Sequence, residues 1–250
     1  SGIRECLRTE DIPADNRSRT RVLETINRYY GYLNSAEEDH ADPAIPGCFA
    51  VRLAHSLINA IAGTRCDLTV QGRFKNGFFR YCVQMAHDSG LAEEIDDDEL
   101  LIIYIKQCLH LLKASGIVRR VKGLATITET TLSSRTLFYR LFNAFWDRVN
   151  WEDIFPSDAG SARELKTCRS LLKDLVLRHY GAVSVNDIAN EFFDMTGFSA
   201  RNDLLATSFL DFYFFTWLSH FGIVRYSRGR EFQPVRITVT EAGRACLGPI

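Results

Sequence analysis

Basic side chains gather twice in matching company. Arg119, Arg120 and Lys122 follow one Gly-Ile-Val run, and Arg225, Arg228 and Arg230 follow another. Guanidinium and ammonium groups held at a hairpin tip grip phosphate. They fix a nucleic acid by its backbone and carry no information about base sequence. These six residues are the candidate phosphate contacts. The other groups able to do chemistry form no recognisable set. His40, His55, His87, His110, His179 and His220 show neither the His-Glu-x-x-His nor the His-x-His spacing of a metal site, and no Cys-x-x-Cys occurs. Gly-x-Ser-x-Gly and phosphate-loop signatures are missing as well. No catalytic residue, metal ligand or cofactor is assigned on these grounds, and the chain reads as a non-enzyme.

A run of carboxylates, Glu93, Glu94, Asp96, Asp97, Asp98 and Glu99, precedes a long apolar stretch. Acidic groups favour the positive end of a helix that follows them. The Gly and closing Glu of a calcium loop are absent, so the run reads as a solvated helix entry rather than a cation site. It also argues against base reading. A helix entering the major groove needs Arg, Lys, Asn or Gln on its N-terminal half, whereas here the first basic groups are Lys106 and Lys113.

The elements that must position the basic clusters come from an internal repeat. "HLLKASGIVRRVKGLATITE" near residues 110–129 answers "TWLSHFGIVRYSRGREFQPVRITVTE" near 216–241. Gly116 aligns with Gly222, and Thr128-Glu129 with Thr240-Glu241 once the second copy is granted a hairpin-tip insertion. Each glycine predicts a left-handed helix end, with a β-branched strand starting directly after it. Upstream, Ala54, Leu57, Ile58 and Ile61 mark a helical face ending at Gly63. Leu165, Cys168, Leu172, Leu175 and Val176 mark its counterpart ending at Gly181, with a capping box at Ser161 and Glu164. Short extended pieces ("DLTV", "AVSV") and second helices ("RFKNGFFRYCVQMA", "NDIANEFFDM") follow in both copies. Third helices then run from about Asp98 to Ser115 and from about Leu204 to Phe221.

The order is helix, short strand, helix, helix and two-stranded wing, twice over. The expected fold is mainly α with small β-hairpins, as tandem winged-helix-type repeats joined by a connector helix. Residues 1–46 read as an N-terminal helical extension, with an amphipathic helix from Arg17 to Tyr32. Residues 47–134 form the first unit, 135–160 the connector helix and linker, and 161–250 the second unit. Asp153 to Gly160 is the expected flexible link.

Three stretches, "DLTVQGRF", "ELLIIYIKQCLHLLKASGIVRRVKGLATIT" and "LFYRLFNAFWDRVNW", together resemble a family of bacterial plasmid-encoded proteins, the plasmid open-reading-frame-three-like group. The resemblance covers the C-terminal helical and winged-helix region of that family, at about residues 50–155 here. It implies the fold and no chemistry, because the group has no known activity. This chain departs from the family's pattern by carrying Lys75-Asn76 where a proline is usual.

Composition bounds the rest. The 250 residues, 46% hydrophobic and 24% charged with a net charge of −1, fit an ordinary folded chain without a global basic field. Seven cysteines, an odd number without pairing pattern, point to a reducing compartment, and no apolar run is long enough to span a membrane. The expected location is cytoplasmic. The opening Ser-Gly, with no Met before it, reads as a tag scar or the cut edge of a longer protein. From Phe209 to Phe221 aromatic residues go all round a helix, and Phe212, Phe215 and Trp217 are the candidate interface residues. The first functional reading is therefore a non-enzymatic binding or scaffold protein, with a second copy or a protein partner on its apolar helices. The alternative is a nucleic-acid-binding, transcription-regulator-like protein that uses its basic wings.

Overall fold

Polar caps and left-handed glycines bound several elements of the first half. The computed structural model describes residues 47–95, 97–155, 159–196, 210–227 and 235–247. The N-terminal extension, with the helix expected from Arg17 to Tyr32, lies outside the described residues. What is described is mainly helical with small antiparallel β-hairpins, and it divides after Asn150 into two compact units.

In the first unit, helix α1 (Phe49–Gly63) is apolar over most of its circumference, and its buried residues include the expected Ala54, Leu57, Ile58 and Ile61. A loop leads to α2 (Asn76–Asp88), and a single tight turn, Leu91–Glu94, leads to α3 (Asp98–Ala114). The Asp97 carboxylate starts α3 by accepting from the Glu99 amide at 2.8 Å, which accounts for one member of the acidic run. Leu101, Ile105, Cys108, Leu111 and Leu112 bury the inner face of α3 against α1. Strands β1 (Val118–Val121) and β2 (Leu124–Ile127) pair antiparallel as a hairpin. Helix α4 (Ser134–Asn143), capped by the Ser133 hydroxyl on the Thr136 amide at 3.1 Å, continues into a wide π-type turn at Ala144–Arg148 and packs on α1. The expected connector helix is therefore the last wall of the first unit.

The second unit opens with α5 (Trp151–Ile154), α6 (Ala159–Thr167) and α7 (Arg169–Arg178). The link expected from Asp153 to Gly160 is helical at both ends, because α5 runs through Ile154 and α6 begins at Ala159. Ser161 consequently sits inside α6, two residues past its first position. The single helix expected from Ala162 to Gly181 is instead broken at Cys168 (φ −102°, ψ 8°) and ends at Arg178. The expected apolar face survives the break, with Leu165, Cys168, Leu172, Leu175 and Val176 all buried. Strand β3 (Val183–Ser184) leads into α8 (Val185–Thr196). After residues outside the description come a π-type turn at Leu210–Phe215, α9 (Thr216–His220), strands β4 (Val224–Ser227) and β5 (Arg236–Val239), and α10 (Glu241–Leu247). The sheet order is β3-β5-β4, all antiparallel.

One junction occurs in both units with the same bonds. Gly116 and Gly222 adopt φ of 77° and 70°, and their amides donate to Lys113 O and Ser219 O at 3.0 and 2.8 Å. The next amides, Ile117 and Ile223, reach back to Leu112 O and Leu218 O, completing a Schellman helix end in each case. Thr128 and Thr240 then close the hairpins. Each hydroxyl donates to the glycine carbonyl, at 3.0 and 2.7 Å, and each amide to the following isoleucine carbonyl. Among the described residues no helix is long and apolar enough to cross a membrane.

Candidate nucleic-acid interface

The loop from Arg65 to Lys75 is tied edge-on to the β1–β2 hairpin. Leu68 donates its amide to Gly123 O and Ala125 donates its amide to Cys66 O, both at 2.9 Å, and Asp67 bridges to Leu124. The loop turns tightly at Gly72 (φ 76°), where a β-carbon would stand 3.3 Å from the Arg120 guanidinium. That guanidinium donates to Val70 O at 3.1 Å. From the end of α3, Lys113 reaches Gly72 O at 3.4 Å while lying 4.9 Å over the Phe74 ring, and partial burial there lowers its pKa. Loop, helix end and hairpin thus bring Arg73, Lys75, Lys113, Arg119, Arg120 and Lys122 to one end of the unit. All six residues are exposed. Asp67, on the same loop, pairs with Arg65 at 3.4 Å.

The expected contacts Arg119, Arg120 and Lys122 are therefore together, but they are not equivalent. Arg120 braces the loop, whereas Arg119 and Lys122 project from the hairpin. Arg73, Lys75 and Lys113 escaped the sequence reading because only the loop's pairing with the hairpin brings them alongside it. Lys122 carries a second signal. With Gly123 at φ 83°, it occupies the first centre of a two-residue turn at φ 48°, a left-handed position that costs an ordinary side chain about 1–2 kcal/mol. Lys122→Asn places the preferred residue there. It is expected to raise the urea midpoint by the equivalent of about 0.5 kcal/mol while weakening polyanion binding. A variant that loses stability would show that the lysine does not strain this turn.

The acidic run lies at the other end of α3, roughly 25 Å away for 17 helical residues. It is partly neutralised locally. Glu94 pairs with Arg52, Asp97 caps α3, and Asp98 meets the His87 ring at 2.7 Å.

In the second unit Arg225 is exposed on β4, opposite Thr238. Arg236, two residues along β5 from Thr238, shares that sheet face and is exposed too. The alternation of "VRITV" could have revealed it. Arg228 and Arg230 lie outside the described residues. The candidate interface residues fare differently. Phe215 and Trp217 are 0% and 1% exposed, with Phe215 against Phe214 at 5.1 Å and Trp217 against Phe221 at 5.7 Å. A helix that is apolar all round is here a central core element, so neither ring is available on the surface. Phe212 is placed only by its backbone, in the π-type turn.

The remaining reactive side chains are mostly core groups. Cys66, Cys82, Cys108 and Cys168 are buried free thiols, and burial pushes Cys66 up to about 11 and Cys82 up to about 12, far from nucleophilic range. His55 meets the Ser134 hydroxyl at 3.4 Å, and His220 lies edge-on to Trp217. Among the described residues no three metal-capable side chains converge. No protein-family model, no curated protein and no solved structure matches the chain.

Proposed function

We propose that this is a non-enzymatic nucleic-acid-binding protein built on two winged-helix-type units, whose first unit grips the phosphate backbone with its basic end. One observation carries the reading. The loop, the end of α3 and the hairpin converge to expose Arg73, Lys75, Arg119 and Lys122, and among the described residues none of these four has an ion pair. Unneutralised cations on a rigid end release counter-ions from a polyanion, which favours binding and makes it salt-dependent. The acidic and apolar start of α3 supplies no base-reading side chains, so the grip is insensitive to sequence. The reading is preferred over a scaffold role on the aromatic helix because Phe215 and Trp217 are in the core.

The test is fluorescence anisotropy with random-sequence duplex DNA across a salt titration, using wild type and Arg73→Glu/Arg119→Glu/Lys122→Glu. Arg120 is left intact because it braces the loop. The variant should keep its urea midpoint and bind more than tenfold more weakly, and wild-type affinity should fall steeply with salt. Absence of wild-type binding at low salt, or equal binding by the variant, ends the proposal.

A further inference from the structure

We propose that the opening of α3 is a docking surface for the basic end of a second copy of this chain. Leu100 and Ile103 are 37% and 45% exposed on a helix whose Leu101 and Ile105 are fully buried. They are neighbours on one helical face, with Glu99 one turn before Ile103. Asp97, Asp98 and Glu99 open the same helix and Glu93 lies on the turn before it, so the apolar pair stands beside a negative helix start. Its complement is on the same molecule. Val70 and Val121 stand 93% and 50% exposed at the tips of the loop and the hairpin, among Arg73, Arg119 and Lys122. The two surfaces match in sign and in composition.

The alternative self-pairing, two α3 openings facing each other about a twofold axis, would set Asp97, Asp98 and Glu99 of one copy against the same residues of the other. Like charges brought together in that way oppose association. A head-to-tail contact meets opposite charges and covers all four exposed aliphatic side chains. Such a contact is heterologous, so it closes into a ring or grows as a chain, and its charged flanks make it salt-sensitive. It occupies the end that the nucleic-acid reading uses, but it needs no nucleic acid to form.

Sedimentation velocity on the full chain without nucleic acid tests this through charge exchange. Glu93→Lys/Glu99→Lys cancels the negative charge of the acidic surface and spares the Asp97 cap. Arg119→Glu/Lys122→Glu reverses the basic one. Wild type should associate at low salt and dissociate at high salt, each variant alone should be monomeric, and a mixture of the two should associate again. Ile103→Lys, at a position already exposed, should also abolish association. Wild type monomeric at low salt, association surviving in either variant, or a mixture that stays monomeric overturns the inference. Failure of duplex binding with successful charge exchange overturns only the nucleic-acid reading.

Discussion

Gly243→Ala should unfold or nearly unfold the second unit. A β-carbon at Gly243 would lie 2.0 Å from the Ile223 carbonyl oxygen, 2.8 Å from its carbon and 3.1 Å from its Cα. That carbonyl cannot drift away cheaply, because it accepts from both the amide and the hydroxyl of Thr240, at 3.0 and 3.1 Å. The Thr240 hydroxyl is in turn the acceptor for the Gly243 amide at 2.8 Å, so moving α10 breaks the bond that starts it. Relief therefore has to come from separating α10 from the strand junction, exposing Leu247 and Ile223, which are 2% and 0% accessible. The expected loss is at least about 3 kcal/mol, at the upper end for an overpacked site. Gly160→Ala in α6 is the control. Nothing lies within 4 Å of its added carbon, and it should be neutral or stabilising by up to about 1 kcal/mol. Urea unfolding followed by tryptophan fluorescence compares the two. A loss under about 1 kcal/mol for Gly243→Ala would mean that α10 does not close on the junction as described.

This contact shows where the sequence was readable and where it was not. Gly116, Gly222, Thr128 and Thr240 stood out because a left-handed helix end and a hairpin closure demand particular residue types at particular spacings, and the structure uses them with matching bonds. The hairpin bases were legible for the same reason. Gly243 looked like any other residue, since nothing local distinguishes a glycine needed for close approach from one that is merely tolerated. The basic end was half legible. Arg119, Arg120 and Lys122 announce themselves, but Arg73, Lys75 and Lys113 join them only through the pairing of residues 66–68 with 123–125, a contact 55 to 59 positions apart. The aromatic helix misled in the opposite direction. Its pattern established that every face is apolar, but not whether neighbours cover every face, and for Phe215 and Trp217 they do. The break at Cys168 lacked a signal altogether, and the Ser161–Glu164 spacing pointed two residues past the start of α6 at Ala159.

Acidification should destabilise the second unit through His220. Its ring is buried at the end of α9 beside Trp217, and burial pushes its pKa from 6.5 down to about 4. The unfolded chain regains the ordinary value, so between these two pH values the unfolded state binds a proton that the folded state refuses. Stability is then complete above pH 6.5, falls as pH drops, and stops falling on this account below about pH 4. A shift of this size corresponds to about 3 kcal/mol across the window. Carboxylates titrate in the lower part of the same range, so the comparison that isolates the histidine is with His220→Phe, which keeps a flat ring against Trp217. The free energy of unfolding should be measured for both proteins at neutral pH and at steps down to pH 4, with Trp151 and Trp217 reporting on this unit. The wild-type curve should drop away from the variant's progressively below pH 6.5. A packing defect in His220→Phe would offset the two curves by the same amount at every pH, whereas a buried proton acceptor makes their separation grow with acidity. Parallel curves therefore remove His220 as the source of any acid sensitivity, and diverging ones assign it.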